Sequence, residues 1–181
     1  CLEVRALDSS AGTLSVKQVA GGFDGPWAVA FLPDNSFLVT ERKGRLWYVD
    51  TKGHKTRIRG VPNVVAKKQG GLLDVMVPRD FALSRQIFFS YAKKQGRSAG
   101  TAVATARLSS DNVRLNDLEV IFEMTQGSTG GRHFGSRIVE ANDGTLFVTI
   151  GERGDRLSAQ ARSRHNGSIV RINKDGSVPL D

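Results

Sequence analysis

The stretch WAVAFLPDNSFLVTERKGRLWYVDTKGHKTRIRGV, residues 27–61, alternates short apolar runs with tight turns. The runs are WAVAF, FLVTE, RLWYVD and TRIRGV, and the turns between them are Pro33-Asp34-Asn35, Arg42-Lys43-Gly44 and Thr51-Lys52-Gly53. Apolar runs bounded by Asp, Asn and Gly turns are typical of β-strands joined as hairpins. The stretch therefore predicts an antiparallel meander of four strands.

Similar units follow along the chain. The further runs are LLDVMV (72–77), QIFFSYA (86–92), TAVATARL (101–108), LEVIFEM (118–124), SRIVEA (136–141), TLFVTIG (145–151) and GSIVRI (167–172). The strand–turn–strand module begins near Asp34, Asp80 and Asp143, at intervals close to one four-stranded propeller blade with insertions. The pattern predicts an all-β fold, a β-propeller with about three four-stranded antiparallel blades in this chain. A β-sandwich with ordinary hairpins is the alternative.

The composition is that of an ordinary globular protein, with 39% hydrophobic and 24% charged residues in a chain of 181. The sequence contains no run of about eighteen apolar residues, so it predicts no membrane-spanning helix. The formal net charge is +8, which suits anionic partners. Because Lys and Arg are scattered through turns rather than clustered with aromatic residues, we expect no nucleic-acid partner.

Cys1 is the single cysteine, so no disulfide can form within the chain. A cysteine at the first position fits a bacterial lipoprotein after removal of its signal peptide, and an arbitrary boundary is the alternative. We therefore expect a periplasmic or extracytoplasmic location, with lipid anchoring through Cys1 as an option. Residues 1–13 are expected to form an N-terminal tail, and residues 14–181 a partial propeller domain.

His133 stands in a glycine-rich loop just before a strand–turn–strand pattern, and it is one of three histidines. Glu152 directly follows the second of these strands, so an antiparallel hairpin can return it towards His133. A carboxylate beside an imidazole fixes its tautomer and stabilises the imidazolium. The pattern predicts a general base with its orienting partner. The alternatives are a structural or surface histidine, and a solvated Glu152 that faces Arg153 or Arg156.

Two further polar residues occupy informative positions. Gln69 precedes paired glycines at the entrance to LLDVMV, where it can offer amide hydrogen bonds to a polar ligand or lie exposed in a loop. Asp74 lies inside the same apolar strand, and a carboxylate there needs partners. We expect Asp74 to be structural and to bond loop amides between blades.

Several catalytic classes lack their motifs. The sequence contains no nucleophile elbow, no phosphate-binding glycine loop followed by Lys-Ser/Thr, no CxxC and no HExxH. His54 and His165 have no metal-ligand spacing around them.

Four ordered stretches carry a resemblance to a known family: GPWAVAFLPDNSFLVTERKGRLWYV, QGGLLDVMV, HFGSRIVEANDGTLFVTIGERGD and GSIVRINKDGSVP. From about Leu14 to its end, the chain resembles the soluble PQQ-dependent sugar dehydrogenases, in particular the aldose sugar dehydrogenases. The resemblance implies a six-bladed propeller that binds pyrroloquinoline quinone (PQQ) and calcium. It also implies oxidation of aldoses at the anomeric carbon to lactones, with an external electron acceptor.

The resemblance implies roles for three residues. His133 matches the base that takes the anomeric hydroxyl proton while hydride passes to the quinone, Glu152 matches its supporting acid, and Gln69 matches a substrate-binding glutamine. Arg137 lies in the same motif without an assigned role. Cofactor-binding residues and calcium ligands are expected mainly in a second half that this sequence does not contain.

The chain is therefore expected to represent the N-terminal half of such an enzyme and to lack activity by itself unless the remainder is supplied. Two alternatives stay open: a non-catalytic propeller-derived module that binds an anionic partner, and a calcium lactonase. Open blade edges also predict self-association.

Overall fold

The structure is a computed structural model in which residues 4–180 are described. Three antiparallel sheets follow one another, and within each sheet every strand pairs with the next in sequence. The first sheet contains β3 (Pro26–Phe31), β4 (Phe37–Glu41), β5 (Arg45–Val49) and β6 (Lys55–Ile58). The second contains β7 (Leu72–Met76), β8 (Gln86–Gln95), β9 (Ser98–Leu108) and β10 (Leu115–Glu123). The third contains β11 (Gly135–Glu140), β12 (Leu146–Ile150) and β13 (Ile169–Ile172).

This arrangement confirms the predicted all-β propeller with about three blades in this chain. Two of the sheets have the predicted four strands, whereas the third has three among residues 4–180. The helical segments in the described residues are short: α1 (Phe81–Ser84) between β7 and β8, and a 3-10 helix (Arg156–Gln160) between β12 and β13. No described helix has the length and apolar character that crossing a membrane requires.

An additional hairpin precedes the blades and was not predicted. It pairs β1 (Val4–Ser9) with β2 (Gly12–Lys17), so strand structure extends through the segment expected to be a tail. Leu14 and Val16 alternate with polar residues in β2, so the strand pattern is present in the sequence, although every residue of β2 is exposed. Cys1 lies outside the described residues, and its lipidation stays a prediction. The division at residues 13 and 14 likewise stays a prediction.

The hairpin turns owe their shape to aspartates that accept hydrogen bonds from the residue two positions later. Asp143 Oδ1 accepts from the Thr145 N–H at 2.9 Å and from its hydroxyl at 2.7 Å. Asp175 accepts in the same way from Ser177, at 3.0 and 2.7 Å. Such side-chain turns compete with strand pairing and end it. They are the physical origin of the recurring Asp-containing turns in the sequence.

The second blade is buried on both faces. Phe88 and Phe89 are neighbours in β8 and are 0% and 1% exposed, yet they belong to different cores. Phe89 packs with the first blade and Phe88 with the third, because successive side chains of a strand point to opposite faces. The three sheets therefore stack face to face, as blades do.

Asp74 in β7 links the second blade to the third. Its Oδ2 accepts the Ile138 N–H of β11 at 2.7 Å, and its Oδ1 accepts from the Arg137 guanidinium at 2.6 Å. The carboxylate is 1% exposed, and this burial raises its pKa against the opposing effect of both donors. The predicted structural role between blades is confirmed, although the amide belongs to strand β11 rather than to a loop.

Candidate active site

His133 lies in the loop between β10 and β11 and is held by Gln69, which precedes β7. The Gln69 N–H donates to the Gly131 carbonyl at 2.9 Å, and the Gln69 Oε1 accepts the His133 N–H at 2.7 Å. These two bonds tie the entrance of the second blade to the entrance of the third. The structure thus brings together two predicted site residues that lie far apart in the sequence.

The backbone of His133 adopts an uncommon conformation. Its φ is 54°, in the left-handed region that non-glycine residues seldom occupy. Such conformations persist where surrounding contacts fix them, and they concentrate at functional sites. Gly151 contributes to this: a Cβ there would collide with the His133 carbonyl, and its N–H donates to the Phe134 carbonyl at 3.2 Å. The loop and the end of β12 therefore approach closely only because residue 151 is glycine.

Glu152 follows β12 and reaches back to the histidine, as predicted. Its Oε1 pairs with His133 Nδ1 and also accepts the Gly154 N–H at 3.1 Å. The hydrogen bond from His133 is the main cause that lowers the pKa of Glu152. The alternative of a solvated Glu152 that faces Arg153 or Arg156 is not what the structure shows.

The pairing decides which nitrogen of His133 is available. With Nδ1 bonded to a carboxylate, the neutral ring carries its proton on Nδ1 and presents a lone pair on Nε2. The His133 side chain is 47% exposed, whereas Glu152 is 23% exposed behind it. The arrangement is an accessible proton acceptor backed by a partly buried anion.

Arg153 is a functional candidate that no sequence pattern indicates. It is 3% exposed, its guanidinium carbon lies 3.4 Å from the centre of the Phe134 ring, and it donates to the carbonyls of Arg132 and Ala99. It supports the His133 loop from inside the protein. A charged residue that follows a strand is usually a solvated turn residue, so the sequence did not indicate that Arg153 is buried.

The other two histidines are engaged elsewhere. His54 pairs with Asp50 at 3.0 Å on the turn between β5 and β6, and the His165 ring packs at a tilt against the Phe122 ring with ring centres 5.2 Å apart. Among residues 4–180, no group of three His, Cys, Asp or Glu side chains is placed to hold a metal ion.

The chain is similar in sequence and in structure to several known proteins. The chain is 41% identical over 180 residues to the aldose sugar dehydrogenase YliI of Escherichia coli, covering 97% of this chain and 48% of that protein. The crystal structure of the E. coli soluble aldose sugar dehydrogenase in its apo form superimposes with a TM-score of 0.87 at 38% identity, covering 100% of this chain and 50% of that one. The PQQ-bound aldose sugar dehydrogenase of Streptomyces coelicolor gives a TM-score of 0.81 at 26% identity, covering 97% and 50%.

The chain spans about half the length of the curated relatives it matches. Residues 23–181 match the family described as Glucose / Sorbosone dehydrogenase, which covers all three blades and the His133 loop. The chain belongs to the Glucose / Sorbosone dehydrogenase family.

Proposed function

We propose that this chain provides the proton-accepting side of a PQQ-dependent aldose sugar dehydrogenase site. The observation that carries the proposal is the pairing of His133 Nδ1 with Glu152, which leaves Nε2 open to a ligand. Family membership and relatives named aldose sugar dehydrogenases support the reaction class. A PQQ-bound structure among the similar folds supports the cofactor.

In the proposed reaction, His133 Nε2 takes the proton of the anomeric hydroxyl of an aldose. The anomeric C–H bond breaks with its electron pair, and the sugar leaves as the lactone. Glu152 stabilises the imidazolium that forms, because an anion beside it offsets the new positive charge. Gln69 Oε1 already accepts the His133 N–H. Gln69 would therefore position the loop through this oxygen and donate its side-chain N–H groups to sugar hydroxyls.

PQQ, when bound, would supply the quinone that accepts the hydride. The exposed surface beside His133 carries Arg132 and Lys68, and this positive charge suits the carboxylates of the cofactor. Calcium is a different case, because residues 4–180 contain no cluster of His, Cys, Asp and Glu ligands for it. No step of the proposal passes through calcium, and its requirement stays a prediction.

Dye-coupled oxidation of a panel of aldoses tests this function. The 181-residue chain is assayed alone and with the cofactor-binding half of an aldose sugar dehydrogenase supplied as a second chain, in each case with PQQ and calcium together, each alone, and neither. The proposal predicts oxidation by the completed site that depends on PQQ, with lactone as product, and its loss in His133→Ala. A matched control is His54→Ala, which removes a histidine paired with a carboxylate on another blade turn. Turnover without PQQ, or equal loss in both variants, would contradict the proposal.

We also propose that electrons pass from the cofactor to an external acceptor, and that the protein lies outside the cytoplasm with a lipid anchor on Cys1. Mass spectrometry of the protein isolated from its native membrane fraction tests the anchor, since a diacylglyceryl thioether on Cys1 adds a defined mass. An unmodified Cys1 in protein from the cytoplasmic fraction would count against both the anchor and the location.

A further inference from the structure

A cavity of about 150 Å³ opens beside the His133 loop. Its walls come from the turn between β8 and β9, from the loop that leads to β11, and from the segment before β7. The residues that line it are Val65, Lys67, Lys94, Gly96, Arg97, Ser98, Ala99, Ser128, Thr129, Gly131 and Phe134. A single water needs roughly 10–15 Å³ by the same measure, so the cavity accommodates a group of several atoms.

Three of the residues that line the cavity are cationic. Lys67, Lys94 and Arg97 contribute three positive charges, and no carboxylate lines the cavity. Lys67 Nζ donates to the Thr129 carbonyl at 3.2 Å, which fixes one cation at the rim. No carboxylate within residues 4–180 forms an ion pair with Lys94 or Arg97. The lining also includes three hydroxyl groups: those of Ser98 and Ser128 donate to the Gln95 and Arg153 carbonyls, and the Thr129 hydroxyl is a donor for an oxyanion.

A fourth positive charge, on Arg153, is buried behind the part of the cavity wall formed by Phe134 and Ala99. Arg153 is 3% exposed and packs directly against Phe134 and Ala99, both of which line the cavity. Its partners are backbone carbonyls, and its Nε has no partner at all. Burial lowers the pKa of Arg153 to about 10. A buried cation without a bonded carboxylate is costly, and an anion on the other side of Phe134 offsets that cost.

The walls are held in place without a ligand. Ala99 and Ser128 exchange two backbone hydrogen bonds, at 3.0 and 3.1 Å, and Gln95 Oε1 accepts the Gly127 N–H at 2.9 Å. The Ser128 hydroxyl donates to the Arg153 carbonyl at 3.1 Å. The cations therefore surround a preformed space, which reduces the entropy lost on binding.

We infer that this cavity is a binding site for an oxyanion, the phosphate or carboxylate group of a small molecule. Guanidinium and ammonium groups with adjacent hydroxyls recognise these groups through charge-assisted hydrogen bonds. Consecutive Cα atoms are ~3.8 Å apart, so the Cα atoms of Gly131 in the cavity wall and His133 lie within about 7.6 Å. The site goes beyond the proposed oxidation, since it selects ligands by charge and can be measured by binding alone.

Titration of the 181-residue chain with inorganic phosphate and with acetate, followed by calorimetry and by amide NMR shifts, tests the site. We expect saturable binding of at least one anion that weakens with added salt, and shifts at Gly96 and Gly131 but not at Gly144, which lies in the β11–β12 turn. Arg97→Gln is expected to weaken binding about tenfold, the loss of one charge-assisted bond. Lys52→Gln, which removes the same charge from the β5–β6 turn, should leave binding unchanged.

Glucose 6-phosphate, glucuronate and neutral glucose distinguish the sources of the anion. Tighter binding of an acidic sugar than of the free anion assigns the site to a substrate group, and equal binding assigns it to a free anion. Absence of saturable binding by every anion would overturn the inference. Equal weakening in Arg97→Gln and Lys52→Gln would overturn it as well, and so would phosphate shifts in wild-type chain that spare Gly96 and Gly131. These results do not depend on turnover, so they stay separate from the outcome of the oxidation assay.

Discussion

Gln69 and His133 are joined across two blades, because the side-chain oxygen of Gln69 accepts the backbone N–H of His133 at 2.7 Å. The bond fixes the loop in which His133 holds a φ of 54°. Gln69 is thus a positioning residue as well as a candidate for substrate contact.

Removal of this bond should reduce turnover. In Gln69→Ala we expect kcat to fall about fivefold, because one hydrogen bond contributes roughly 1 kcal/mol. Hydrogen exchange of the His133 amide should accelerate at the same time. Gln69→Glu keeps an acceptor oxygen and should retain slow exchange. Unchanged exchange in Gln69→Ala would show that other contacts fix the loop.

The His133–Glu152 pair predicts a pH effect with a definite sign. Because the hydrogen bond from His133 lowers the pKa of Glu152 in the folded chain, the pair contributes stability above the ordinary carboxyl pKa. That contribution is lost as the pH falls through the lowered value. His133→Ala should therefore raise the pKa of Glu152 towards its ordinary value, which NMR titration of the side-chain carboxyl measures. An unchanged Glu152 titration would refute the pairing in solution.

Asp74 should be among the more important polar residues for stability. Asp74→Ala leaves the Ile138 N–H without its acceptor in a buried place, and we expect a loss of about 2–3 kcal/mol in the free energy of unfolding. Arg137→Ala leaves the buried Asp74 carboxylate without its cationic partner but with the Ile138 N–H, and we expect a smaller loss of unfolding free energy than in Asp74→Ala. Urea denaturation of the two variants compares them. Equal losses would mean that the ion pair, rather than the backbone amide, determines the role of Asp74.

Exposed apolar residues predict self-association of the 181-residue chain. Val29 and Phe31 in β3, Val139 in β11 and Ile169 in β13 are 51%, 67%, 55% and 68% exposed. Strand edges and apolar faces of this kind pair with other chains. Light scattering at tens of micromolar should show oligomers, and Ile169→Lys should reduce them. A monodisperse monomer at this concentration would contradict the prediction of self-association.

Local sequence patterns predicted most of the strands and the meeting of His133 with Glu152. Apolar runs and Asp turns are local features, and a single hairpin brings Glu152 back to the loop. The bond between Gln69 and His133 depends on how two blades stack, which no local pattern encodes. The burial of Arg153 has the same cause. The β1–β2 hairpin was missed although Leu14 and Val16 alternate with polar residues in its second strand.

The role of His133 is tested most directly by the rate at which an aldose reduces bound PQQ in a single turnover, measured anaerobically from the absorbance of the quinone with the remaining half of the site supplied. If His133 is the base, His133→Ala slows this step by a factor of about 10²–10⁴, the contribution of a general base, while His54→Ala leaves it unchanged. Equal reduction rates in wild type and His133→Ala would contradict the assignment of His133 as the base.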